Sequence, residues 1–185
     1  MDAVTAAFAA CPRTGFLPRS QRRSASYDGP LSIGHGQTNS QPRTVEAMLR
    51  LLRVEPGQRV LDVGSGSGWS TALLAHLTGG SGEVLGVELE ADLVRFGSDN
   101  LSATHQPWAS IHQAEPGVLG LPDKAPYDRI LVSAEPRSLP EELVEQLAVG
   151  GRMVIPVQGT MLLVVRQDDG VEVTRHGGYR FVPLR

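Results

Sequence analysis

The chain has 185 residues, of which 41% are apolar and 20% charged. That composition fits one folded domain of ordinary size and excludes a disordered polymer. A net charge of −3 argues against a protein held on nucleic acid by phosphate contacts.

The chain opens with an alanine-rich helical stretch over residues 2–11, stopped by Cys11-Pro12-Arg13-Thr14-Gly15. Cys11 is the single cysteine, so no internal disulfide can form, and it reads as a small buried apolar residue. Residues 16–42 are rich in Gly, Ser, Pro and Gln, with no clean period, and read as a lid or binding loop. Within them Arg19, Arg22 and Arg23 read as a solvated basic stretch. From Pro42 to Leu52 the residues Val45, Met48, Leu49 and Leu52 recur at helical spacing. Strands and helices then alternate: strand Arg59–Val63, helix Gly68–Leu77, strand Val84–Glu88, helix Ala91–Ser102, strand Ser110–His112, strand Arg129–Ser133, helix Pro140–Ala148 and strand Arg152–Val157. Alternation of this kind predicts a parallel α/β sheet. Met161–Arg166 and Val171–Arg175, joined at Asp168-Asp169-Gly170, predict a closing antiparallel hairpin.

No apolar run approaches the ~20 residues of a bilayer-crossing helix, and the first residues lack the plan of a signal peptide. The expectation is a cytoplasmic monomer with no membrane or nucleic-acid partner. One domain is expected, with residues 1–42 as a helix and covering loop and residues 43–185 as a Rossmann-like core.

The densest motif is Asp62-Val63-Gly64-Ser65-Gly66-Ser67-Gly68, between a strand and a helix. Glycine suits a sharp turn where the backbone must approach a ligand, and the helix behind it aims free N–H groups at the same place. Glu88 ends the next strand and can accept hydrogen bonds from both ribose hydroxyls of a nucleoside. A dinucleotide fingerprint would need glycine where Trp69 stands. An acid two residues before the first glycine suits a cationic cofactor better than a pyrophosphate. The residues therefore favour S-adenosylmethionine (SAM) over a nicotinamide or flavin dinucleotide, or a glycine turn without a ligand. Trp69 itself packs either on the cofactor or in the core.

With these come Pro30-Leu31-Ser32-Ile33-Gly34-His35-Gly36-Gln37-Thr38-Asn39-Ser40-Gln41-Pro42, Ala125-Pro126-Tyr127-Asp128, Gly150–Val157 and Arg180-Phe181-Val182-Pro183-Leu184. Over nearly the whole chain the sequence resembles the protein-L-isoaspartate (D-aspartate) O-methyltransferases. The resemblance implies a Rossmann-like SAM-dependent methyltransferase fold: a mostly parallel sheet with helices on both faces and a family-specific C-terminal end. It implies methyl transfer from SAM to the free α-carboxylate of isoaspartyl residues in damaged proteins or peptides, leaving S-adenosylhomocysteine. Ser40 matches the family's active-site serine, with Thr38 beside it. The residue pattern alone also allows Ser40 to cap the helix after Pro42. Asp62, Gly64, Ser65, Gly66, Ser67, Gly68, Glu88, Asn39 and Glu115 are the candidate cofactor residues.

Two positions depart from the family pattern. Asn39 stands where an apolar residue is common. Glu115, Pro116 and Gly117 fill the place of a Gly-Asp-Gly whose Asp approaches the adenine amino group. Pro116 has no N–H, which leaves Glu115 as the nearby acid. Asp128 is expected to anchor a loop. His35, His76, His105, His112 and His176 lack metal-ligand spacing, and no metal is expected. Ala134-Glu135-Pro136-Arg137 stands where amino-methylating nucleic-acid enzymes carry Asn-Pro-Pro-Tyr. Beside the repair reading stand a divergent carboxylate methyltransferase with another peptide substrate, and a weakened SAM-binding relative.

Overall fold

A computed structural model describes residues 2–185. In chain order the elements are α1 (Ala3–Ala10), 3-10 turns at Arg13–Phe16 and Arg19–Ser24, β1 (Leu31–Gly34), β2 (Gln37–Asn39) and α2 (Pro42–Leu52). Then come β3 (Arg59–Val63), α3 (Trp69–Thr78), β4 (Glu83–Glu88), α4 (Ala91–Ser102), β5 (Ala109–Gln113), a 3-10 turn at Pro122–Lys124 and β6 (Tyr127–Val132). The chain continues with α5 (Glu141–Glu145), β7 (Leu147–Val157), β8 (Thr160–Gln167) and β9 (Gly170–Gly178).

Seven strands form one sheet in the order β5-β4-β3-β6-β7-β8-β9. The first five are parallel, and β8 and β9 add antiparallel. The alternating strand and helix pattern and the closing hairpin are thus as the sequence predicts.

Buried on both sides, the central strands alternate faces residue by residue. Val60, Val84, Leu131 and Val154 lie in one core with α1, α2 and α3. Leu61, Leu85, Ile130 and Met153 lie in the other with Leu143 of α5. The sequence reasons for the helices are plain. Asp2 accepts a hydrogen bond from Thr5 N at 3.1 Å, which caps α1. Pro42 opens α2, whose buried residues are the four at helical spacing, and Arg53 ends it in a left-handed conformation.

Two expectations change. Residues 31–39 form a two-stranded antiparallel sheet rather than irregular loop. Its burial alternates at Leu31 and Ile33 against Ser32 and Gly34, a two-residue period too short to stand out. The helix expected to run to Ala148 stops at Glu145 because Leu147 pairs with Tyr127. Gln146 is also drawn into the core, with its amide bonded to Leu119 O, Glu142 O and Leu121 N. Tertiary pairing overrides helical propensity there.

Candidate active site

The strand order reverses at β3: β4 and β5 extend from one side, β6 and β7 from the other. A crevice opens where the two halves part, at the carboxyl ends of the strands. Gly64 N and Ser65 N both donate to Val87 O, at 2.9 and 3.0 Å, which turns the chain off the end of β3. Gly64, Gly66 and Gly68 have φ of 78°, 52° and 83°, left-handed values that glycine adopts without strain. A cleft of about 970 Å³, open mouth included, runs from this loop to the N-terminal hairpin.

Glu88 is 8% exposed at the end of β4. One of its oxygens accepts from Gly66 N at 2.9 Å and the other from Glu90 N at 3.0 Å. Each oxygen keeps lone-pair capacity for another donor. Ser65 Oγ is buried at the cleft wall without a hydrogen-bond partner. Gly66 leaves a gap that a Cβ would narrow to 3.2 Å from Ile33 Cδ1. Open carboxylate capacity, an unpartnered hydroxyl and backbone kept bare of side chains fit a nucleoside-bearing cofactor.

Of the candidate residues, Thr38, Asn39, Ser40, Gly64, Ser65, Gly66, Ser67, Glu88 and Glu115 line this one cleft. Ser40 does not cap α2: Gln41 holds the cap position, with no side-chain bond. Among the described residues neither the Thr38 nor the Ser40 hydroxyl has a hydrogen-bond partner. Asn39 is 4% exposed, and its amide bridges Arg13 Nε and Ser67 Oγ at 2.6 and 3.0 Å. It ties the hairpin to the glycine loop.

Two candidates stand behind the cleft rather than on it. Asp62 is fully buried, and its Oδ2 accepts from Ser70 and Thr71 at 2.7 Å each. Its Oδ1 has no partner. Burial drives its carboxyl up to about 6, against the two hydroxyls that lower it, with the charge of Glu88 adding to the rise. A cation in the cleft would favour the ionised form.

Gly68 serves packing. A Cβ there would lie 2.8 Å from Gly97 O, and one on Gly97 would lie 2.8 Å from Gly66 O. The loop and α4 touch backbone to backbone. Trp69 packs in the core and also borders the cleft: it is 3% exposed, donates to Cys11 O at 2.9 Å and meets Phe8 edge to face. Asp128 anchors as expected, accepting from Arg59 N at 2.8 Å. No group of three His, Cys, Asp or Glu residues able to hold a metal occurs among the described residues.

A family model described as protein-L-isoaspartate (D-aspartate) O-methyltransferase matches residues 1–185. The chain belongs to this family. A protein-L-isoaspartate O-methyltransferase of Methanopyrus kandleri is 43% identical over 98% of this chain and 82% of its own length. One from Methanothrix thermoacetophila is 43% identical over 99% of this chain and 88% of its own. Among solved structures, a protein-L-isoaspartate O-methyltransferase superposes with a TM-score of 0.90 at 25% identity. It covers all of this chain, which spans 62% of that longer one. A Plasmodium falciparum protein described by the same name, in complex with S-adenosyl-L-homocysteine, superposes with a TM-score of 0.88 at 27% identity and 91% coverage of its chain.

Several contributors to this family site escape a reading of residue types. Val182–Arg185 line the cleft because Glu135 N donates to Val182 O and Leu184 N donates to Glu135 O, at 2.8 and 2.9 Å. Val118, Leu119 and Gly120 complete the wall beside Glu115. The lone glycine in the helical run 91–102, Gly97, was a legible sign of close packing. Arg13, inside what reads as a terminating turn, gave no sign at all.

Proposed function

We propose that the protein transfers the methyl group of SAM to the α-carboxylate of L-isoaspartyl residues in damaged proteins or peptides. The observation that carries this is the meeting, in one cleft, of the unpartnered Thr38 and Ser40 hydroxyls with the glycine loop and Glu88. Bound SAM supplies a methyl group on a cationic sulfur. Glu88 would hold the ribose hydroxyls, and the Gly64–Ser67 backbone with Ser65 Oγ the rest of the nucleoside and its amino-acid tail. Glu115, on the wall of the same cleft, would meet the adenine.

A carboxylate is ionised at neutral pH and needs no general base to become a nucleophile. What the chain must provide is alignment. The Ser40 hydroxyl would donate to one carboxylate oxygen and leave the other free to face the methyl carbon, with Thr38 flanking it. Val182–Leu184 and the N-terminal hairpin would keep water from the reacting atoms.

In this reading residues 1–42 cover a core of residues 43–185. The enzyme acts as a cytoplasmic monomer on protein substrates and not on nucleic acid, in keeping with the charge of −3. No described helix is long and apolar enough to cross a membrane.

Labelled-methyl transfer from SAM to an isoaspartyl peptide tests it, with the aspartyl isomer as control. Label is expected on the isoaspartyl peptide alone. Equal labelling of both, or none on either while SAM binds, overturns the repair assignment.

A further inference from the structure

The hairpin that carries Thr38 and Ser40 hangs on one buried cation. Arg13 is 6% exposed. Its Nε donates to Asn39 Oδ1 at 2.6 Å and its Nη1 to Tyr27 O at 2.8 Å. Its Nη2 lies 2.8–2.9 Å from the carbonyl oxygens of Gly29, Asn39 and Ser40. All five acceptors are neutral.

Among the described residues, no carboxylate forms an ion pair with Arg13. Asp28, the acid that acts on it through charge, pairs with Arg43 at 3.4 Å and accepts from Gln41 and Arg43 N. The Trp69 ring sits 5.6 Å from the guanidinium carbon and offers only its π face. Arginine stays protonated even when buried. A full positive charge therefore lies beneath the main chain of Ser40 with no carboxylate in contact among the described residues, an arrangement that ordinarily costs stability. Neutral donors could satisfy the same carbonyl oxygens, so clamping the loop does not require the charge.

We propose that Arg13 is a positioning and specificity residue: it fixes the Ser40 main chain, and its buried charge gives the cleft its preference for a carboxylate acceptor. The inference rests on the functional reading above. Transfer of CH₃⁺ to a carboxylate forms a C–O bond and breaks the C–S bond, so the anion and the sulfonium are both neutralised. A charge that stabilises the anion therefore acts on its binding and is lost as the ester forms. Arg13 should appear in KM for the acceptor, not as a gain in kcat.

The test compares Arg13→Lys, Arg13→Gln and Asn39→Asp by calorimetry with S-adenosylhomocysteine, thermal melting and steady-state labelling of the isoaspartyl peptide. Lys keeps the charge and part of the clamp, whereas Gln keeps two neutral N–H donors for part of the clamp and loses the charge. KM for the peptide is expected to rise about tenfold more in the Gln variant than in the Lys variant, while kcat falls alike in both. Asn39→Asp keeps the acceptor for Arg13 Nε and makes it a carboxylate, while the Ser67 hydroxyl, which receives from Asn39 Nδ2 in the wild type, must donate instead. This variant should raise the peptide KM about tenfold. Lys and Gln variants equal in KM would overturn the inference. A wild type that labels no peptide overturns the functional reading, and this inference with it; a labelling wild type with an unchanged Asn39→Asp KM overturns this inference alone.

Discussion

The floor and the cover of the cleft are held together by different means. The floor is the Gly64–Gly68 loop with Glu88. Main-chain bonds to Val87 O pin it, and direct backbone contact with Gly97 backs it. The cover is the β1–β2 hairpin, which buries Leu31, Ile33 and Asn39. It is tied down by side-chain bonds from Arg13 and by the bridge from Asn39 to Ser67. The floor runs directly off the sheet, and at Gly68 an added Cβ would lie 2.8 Å from main chain. The cover is a short ribbon, and a two-stranded ribbon is marginal by itself. Its order depends on polar bonds, which replacement of a single residue can remove.

The largest expected effect breaks the floor. Gly68→Ala forces a side chain into a left-handed conformation and against Gly97 O at 2.8 Å. The two costs together are about 2–5 kcal/mol. For a chain of this size that lowers the melting temperature by about 5–15 °C. Gly57→Ala is the control: its φ is also positive, but its Cβ would meet nothing nearer than Ser81 Oγ at 3.6 Å. Equal losses in the two variants would show that the approach of α4 to the loop contributes nothing.

A smaller pair of effects separates floor from cover by function. Glu88→Ala removes a charged acceptor, and each lost bond is worth roughly 1.5–3 kcal/mol. SAM affinity should fall about 100-fold, measured by calorimetry. Ser40→Ala should leave SAM affinity within about twofold and lower kcat about tenfold. If Ser40→Ala weakens SAM as much as Glu88→Ala does, the two walls are not distinct in function.

The same contrast explains what the sequence could tell. The floor is legible because sheet and helix physics repeat along the chain. The mainly apolar stretch Val60–Val63, glycines that suit left-handed backbone, and an acid at the next strand end each carry a local structural signal. The strand Arg59–Val63 and helices Pro42–Leu52 and Ala91–Ser102 accordingly fall where their patterns place them. The cover is not legible in that way. Arg13 lies 27 residues from Ser40 in the chain, and no local pattern says which carbonyls a guanidinium will find. Asn39 shows as a departure from the family, but its two partners appear only in three dimensions. The family motif in residues 30–42 located the serine. It could not reveal what holds the serine in place.

A further effect, the only one that depends on pH, concerns Asp62, which stands behind the floor and does not line the cleft. Its ordinary value of 3.8 is raised to about 6 by burial, so the folded protein holds this proton more tightly than the unfolded chain. The resulting stabilisation is fully present below pH 3.8 and is lost as pH rises through about 6. At neutral pH the ionised carboxylate then costs on the order of 3 kcal/mol in the cofactor-free protein. Asp62→Asn, whose amide oxygen can still accept from Ser70 and Thr71, should raise the melting temperature at about pH 7.5, with a gain that shrinks toward about pH 4. The cationic groups of SAM favour the ionised form, so SAM binding near about pH 5.5 should release a proton, and affinity should decline below about pH 6. Calorimetry in two buffers of different ionisation heat reads that proton directly. Asp62→Asn should abolish it, whereas Ser40→Ala should leave it intact, because the proton belongs to the floor and not to the cover. Persistence of the release in the Asp62→Asn variant would assign the titration to another group and detach Asp62 from the cofactor.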